Sequence, residues 1–261
     1  VVRATGVLPI AGTTFDRSAQ QSVFVNGPFP TSRTVLFATR SIELKEGVKV
    51  LSGNVIVNDT RPGPGFELVV KNRAETPAGF SLKASRVEIK EDAVVASDVY
   101  ANTLRNRGTL TGSFITPLSM PVVPVLPPFM TATAGTQNVT VSSNSSVVLS
   151  PGNYRDVVVR DNASLTLSGG VYNLRSIYLN KKARLRFADA ADVRVLLTMN
   201  ADEETYIGPA QGSTINASHI ILYVGGTGKA VTLGAKTKVF ANLYAPNAVV
   251  ELKERTDATG A

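Results

Sequence analysis

The sequence has no cysteine, no tryptophan and a single histidine. Without cysteine there is no disulfide scaffold, no thiolate metal site and no cysteine nucleophile. One histidine rules out any site that needs two imidazoles. No apolar run approaches the roughly 18 residues that span a bilayer, so no transmembrane segment is expected. What is present is a chain of 261 residues, 43% hydrophobic and 18% charged, with a net charge of +7. That is enough apolar material for a real core. The positive balance favours acidic partners such as polyanionic glycans or anionic surfaces. The chain opens on Val1, as expected of a processed product or an excised piece, with any secretion signal upstream.

One short pattern recurs seven times: apolar residues at offsets zero, two and eight, and a small or apolar one at six. It reads Ile42-Leu44-Val48-Val50, Val87-Ile89-Ala93-Val95, Val139-Val141-Ser145-Val147 and Val157-Val159-Ala163-Leu165. It continues as Ile177-Leu179-Ala183-Leu185, Val231-Leu233-Thr237-Val239 and Val250-Leu252-Thr256-Ala258. The intervening triplets, such as Lys90-Glu91-Asp92 and Arg160-Asp161-Asn162, are polar or turn-forming. They often end in Gly, Asn or Asp, which tolerate a positive φ. Alternation with period two marks strands with one buried face. Each unit is therefore a short strand, a tight turn and a second strand.

Neighbouring units start 18 to 20 residues apart at 139, 157, 177 and again at 231 and 250, and the wider gaps hold two or three such periods. A strand-only repeat of this length predicts an all-β chain folded as a parallel β-helix, a solenoid of stacked coils. The crossover rule makes it right-handed. About ten coils are expected. Residues 1–40, with Phe15, Phe24, Phe29 and Phe37 but no rung, are expected to form an N-terminal cap. Residues 41–115 form a first β-helix section and 136–261 a second. Between them, 116–135 carries five prolines and is expected to run extended along the outside or to link two half-solenoids. Ala258-Thr259-Gly260-Ala261 stops in mid-coil, so the last coil is expected either to continue or to lie open.

The run Phe240-Ala241-Asn242-Leu243-Tyr244-Ala245-Pro246-Asn247-Ala248, preceded by Val231-Thr232-Leu233-Gly234, resembles the "YAPNA" segment of poorly characterised bacterial secreted and cell-surface β-helix proteins. Residues 41–115 look more like the short-rung solenoids of bactofilins. The resemblance implies a surface-structural or scaffold role and brings no catalytic motif.

Candidate chemistry is thin. Glu46, Glu91, Asp161 and Glu254 share one turn offset, each follows a Lys or Arg, and none falls on consecutive assigned coils. That is the pattern of a solvated ion-pair ladder. Asp202-Glu203-Glu204 and Asp189 with Asp192 are the other acid groups. His219 enters an apolar strand and reads as a structural, hydrogen-bonded histidine. Gly225-Gly226-Thr227-Gly228-Lys229 lacks the spacing and following helix of a phosphate loop and reads as a turn between coils. Sequons at Asn58, Asn138, Asn144, Asn162 and Asn216 read as turn residues first. The densest basic cluster is Lys181, Lys182, Arg184 and Arg186, with Lys182, Arg184 and Arg186 on one outward face. It is the candidate polyanion site, an acidic glycan suiting it better than nucleic acid, because only Tyr178 lies near for stacking.

These residues lead to the expectation of a non-enzymatic extracellular or cell-surface module, structural or adhesive, able to associate end to end through its open last coil. Its partner would be a cell-surface or matrix component. No cofactor, metal or nucleic acid is expected. The alternative is a protein that binds or cleaves acidic polysaccharide.

Overall fold

The structure, a computed structural model, describes residues 33–61, 63–122 and 133–260. Among these residues the chain is all-β, with strands paired in parallel throughout and only a short 3-10 turn at Ala217–His219. The first strand of each repeat, such as Ser41–Leu44, buries alternate residues. The second, such as Lys49–Ser52, lies across a tight turn. A third side, such as Asn54–Val57, closes the coil and is not marked by the two-strand pattern. In the later coils the third side runs straight into the next first side, as in Gly152–Val159 and Gly170–Leu179.

The repeat positions fall where the pattern puts them. Six of the seven copies have all four pattern residues buried, and the copy at Val139 does not because it lies at an end. Two further coils, Leu68-Val70-Ala74-Thr76 and Met199-Ala201-Thr205-Ile207, fill wide gaps with equally buried residues. The turn residue before each offset-six position has a positive φ near 60°, whatever its type: Gly47, Arg73, Asp92, Asn144, Asn162, Lys182, Glu204, Lys236 and Arg255. Three of the buried threonine hydroxyls inside are satisfied, whereas Thr76 Oγ1 is buried without a partner. The Thr205 and Thr237 hydroxyls meet at 2.9 Å, and Thr256 donates to the Gly234 carbonyl at 3.0 Å.

The order of coils along the stack departs from the order along the chain. The second-side strands stack as Thr109–Leu110, Val94–Val95, Glu75–Thr76, Lys49–Ser52, Asp257–Thr259, Lys238–Phe240, Tyr206–Pro209, Arg184–Phe187, Ser164–Leu167 and Ser146–Leu149. Ten rungs at a strand spacing of about 4.8 Å make a rod of roughly 45 Å. The last coil of the chain sits on its first. Ile42 and Leu44 pair with Val250 and Leu252, Leu36 with Leu243, and Val50 with Ala258. The expectation of an open C-terminal coil is therefore corrected: its edge is covered by Lys49–Ser52, and Ser52 Oγ donates to the Gly260 carbonyl at 3.0 Å. Stacking satisfies backbone groups that an open edge would leave to water.

The cap expectation changes too. Residues 1–32, with Phe15, Phe24 and Phe29, lie outside the described residues. Thr34–Ala38 is not at an end of the rod but a rung in its middle, between Asn54–Val57 and Asn242–Ala245. Its alternate side chains face outward and are still buried. Phe37 joins Ile56, Ile221, Tyr223 and Tyr244 in a second apolar cluster on the outer surface. Phe37 and Tyr223 each pack on the Tyr244 ring, with centroids 5.2 and 5.8 Å away. Burial pushes the Tyr223 and Tyr244 phenols up to about 12.

Of the proline-rich segment only the two flanks, up to residue 122 and from residue 133, lie among the described residues. Leu118 is tied to the Asn102 side chain by two hydrogen bonds of 2.9 Å, and Val122 packs on the outer cluster, several rungs back along the rod. The chain re-enters at the opposite end, where the Gly135 N–H donates to the Tyr154 carbonyl at 3.1 Å. Residues 123–132 lie outside the described ones.

Candidate functional site

The basic cluster splits when the coils stack. Lys181 and Lys182 sit in a turn beside the turn of the next coil, which carries Glu203 and Glu204. Lys181 Nζ lies 3.3 Å from Glu203 and Lys182 Nζ 3.7 Å from Glu204. Exposed pairs of this kind contribute little stability, but they lower the local positive potential. Arg184 and Arg186 lie past the turn, on the outer face of Arg184–Phe187. Register places Tyr206 beside Arg184 and Gly208 beside Arg186, with Lys238 one rung further. Among the described residues no carboxylate lies within 4 Å of Arg184, Arg186 or Lys238. The Arg186 Nε is buried and has no hydrogen-bond partner.

Sequence reasoning missed Tyr206 and Lys238 in this group. The signal was there: Tyr206 lies one coil after Arg184, at the same phase, in a coil the pattern did not flag. Its ring is held by Phe240, centroids 5.7 Å apart, and by the hydroxyl donating to the Pro209 carbonyl at 2.9 Å. Burial raises the Tyr206 phenol's pKa, and the nearby Arg186 and Arg184 guanidiniums oppose that shift. The result is a face with three unpaired cations around an anchored aromatic ring. Further along the column the signs mix, as Asp257, Lys49 and Glu75 follow.

The ion-pair ladder is present along the turns. Arg73 pairs with Glu46, and Arg107 with Glu91 at 3.1 Å. One expectation is corrected, because Glu254 and Glu46 do fall on consecutive coils once the last coil meets the first. Arg73 pairs with the Glu46 carboxylate, and the two turns are joined by the Arg255 backbone N–H donating to the Glu46 carbonyl at 2.9 Å. Asp192 is buried against Arg194, 3.5 Å away, and burial pushes its carboxyl up against the opposing pull of that guanidinium. His219 caps the short turn with Asn216, their Nδ1 and Oδ1 2.9 Å apart. The glycine-rich run is a corner between Ile220–Val224 and Gly228–Leu233, and Lys229 points to Glu251 at 3.4 Å. Asn144 and Asn162 both take the positive-φ turn position. Among the described residues no group of three histidine or acidic side chains is placed to hold a metal, and no helix is long and apolar enough to cross a membrane.

Compared with models of protein families, with curated proteins and with solved structures, the chain matches none.

Proposed function

We propose that this protein is a non-enzymatic extracellular or cell-surface module whose rod, coiled right-handedly, serves a structural or adhesive role and grips an acidic polymer through its Arg184 face. The observation that carries the reading is the set of Arg184, Arg186 and Lys238 around Tyr206, free of carboxylate partners. Arg184 and Arg186 on one rung and Lys238 two rungs away, about 10 Å along the rod, offer spaced charges to an extended anionic chain, and the ring on the rung between offers an apolar surface beside them. The resemblance to secreted β-helix proteins agrees with this setting. Binding to immobilised polyuronate tests it. Arg184→Ala with Arg186→Ala is expected to lower the salt concentration of elution markedly, whereas Lys181→Ala with Lys182→Ala shifts it little. Equal shifts from the two pairs would remove the case for this face.

A second reading, end-to-end association, is favoured by the ends of the rod rather than by the chain's last coil. Among the described residues Ser146–Leu149 pairs only with Ser164–Leu167, and Thr109–Leu110 only with Val94–Val95. Val148 is 70% exposed at one end and Phe114 43% at the other. Residues 137–150 hold no charge that would blunt the edge. A head-to-tail joint of this kind does not close, so it grows filaments. Sedimentation across a concentration series is expected to show growing particles, abolished by Val148→Lys. A strict monomer at the highest concentration excludes this reading.

A further inference from the structure

Along the ridge of turns one position is missing its side chains. At the first two turn positions, neighbouring coils carry Asn180-Lys181, Asp202-Glu203, Lys253-Glu254 and Lys45-Glu46. The coil between Asp202-Glu203 and Lys253-Glu254 carries Gly234-Ala235. The absent side chains leave a groove of about 640 Å³, within the usual range for a small-ligand site. Its mouth is about two strand spacings wide, roughly 10 Å.

Tyr178 stands at one wall, 38% exposed, with its hydroxyl donating to Asp202 Oδ2 at 2.7 Å. That hydrogen bond fixes the ring and leaves a flat apolar surface facing solvent. Asn200 and Thr232 follow Tyr178 in the same outward column and supply an amide and a hydroxyl to the groove. Three carboxylates line the groove, Asp202, Glu203 and Glu254, against two ammonium groups, Lys181 and Lys253, the first already tied to Glu203. The balance is unfavourable for an anion and rich in acceptors for hydroxyl protons.

We propose that this groove binds an uncharged pyranose unit of an oligosaccharide, with the apolar face of the sugar on Tyr178 and its hydroxyls on Asp202, Asn200 and Glu254. Aromatic stacking with surrounding oxygen acceptors is the chemistry that recognises a neutral sugar. This site is separate from the Arg184 face and stands or falls without it.

The test is calorimetric titration of the intact chain with cellohexaose, maltohexaose and N-acetylchitohexaose, with hexagalacturonate and a chitosan hexamer as charged controls. Saturable binding of at least one uncharged hexamer is expected. Tyr178→Ala is expected to weaken it about tenfold or more. Ala235→Tyr, which fills the gap, is expected to abolish it, while Ala235→Ser, which leaves the gap open, retains it. Arg184→Ala with Arg186→Ala leaves it unchanged. The proposal is overturned if no uncharged hexamer binds up to about 10 mM. It is also overturned if only the cationic chitosan hexamer binds, or if Tyr178→Ala has no effect.

Discussion

A chain cut between Pro127 and Pro128 is expected to remain one particle at neutral pH. The cut separates residues 33–122 from 133–260 covalently, but the two sections share a complete coil-on-coil seam. Thr34–Ala38 lies on Asn242–Ala245, Ser41–Leu44 on Ala248–Leu252, and Lys49–Ser52 on Asp257–Thr259. Separation would expose Leu36, Ile42, Leu44 and Val50 on one fragment and Leu243, Val250, Leu252 and Ala258 on the other, all of them buried. Three parallel strand ladders would lose their partners at the same time. An end of this kind resembles an obligate interface, so affinity on the order of micromolar or tighter is expected.

Acid should loosen the same seam. Lys45, from the first coil, pairs with Glu251, from the last, and Glu251 is only 8% exposed. The hydrogen bond from Lys45 holds the Glu251 carboxyl below its ordinary value, against the opposing effect of burial. A lowered pKa means that the contribution is complete above the ordinary glutamate range and is lost as pH falls through the lowered value. The nicked protein should therefore elute as one peak at neutral pH and give separate fragments under strong acid. Glu251→Gln should weaken the neutral complex by about tenfold, the cost of leaving Lys45 without its charged partner. Two fragments migrating independently at neutral pH would show that the seam does not hold the sections together.

Gly234→Ala is expected to be the most damaging single methyl group near the groove, by about 3 kcal/mol or more. A Cβ at Gly234 would lie 2.3 Å from the carbonyl carbon of Asp202, 2.4 Å from its oxygen and 2.7 Å from the Ala201 oxygen. These are backbone atoms held in the ladder by the Gly234 N–H, which donates to Ala201 at 2.7 Å, and they have nowhere to move. The neighbouring Ala235 faces the open groove, so Ala235→Tyr should leave the melting temperature nearly unchanged. Thermal unfolding of the two variants gives the comparison. If Gly234→Ala melts with the parent protein, the close approach of these two coils is wrong.

How much of this was legible can be read from individual residues. Val157, Val159, Ala163 and Leu165 announce their burial through spacing alone, because a strand with one dry face must alternate. Met199-Ala201-Thr205-Ile207 carries the same information less loudly, since Met199 and Ala201 stand where the other copies have Val, Ile or Leu. Thr205 goes inside because Thr237 lies one rung away to share a hydrogen bond, a partner 32 residues distant. The outer cluster was not readable, because Phe37 comes from one end of the chain and the neighbouring Tyr223 and Tyr244 from the other, and Phe37 meets them only through the seam. Alternation alone puts Lys182 on one outward face with Arg184 and Arg186; the structure instead places Lys182 in the turn beside Glu204, as it does Lys181 beside Glu203. Asp202, Glu203 and Glu254 form a groove only because Gly234 and Ala235 stand between them.

The missing cysteine, tryptophan and second histidine excluded whole chemistries without any structure, and the period-two repeat with its polar triplets was enough to determine coils, turns and a narrow aliphatic interior. These are local matters: alternation, turn φ and side-chain size act within a few residues. The order of the coils was decided only in three dimensions. A parallel coil offers the same edge to any other coil of matching pattern, so sequence adjacency does not say which pair will stack. The last coil found the first, and that one pairing moved the rod's free ends to residues 103–115 and 139–149.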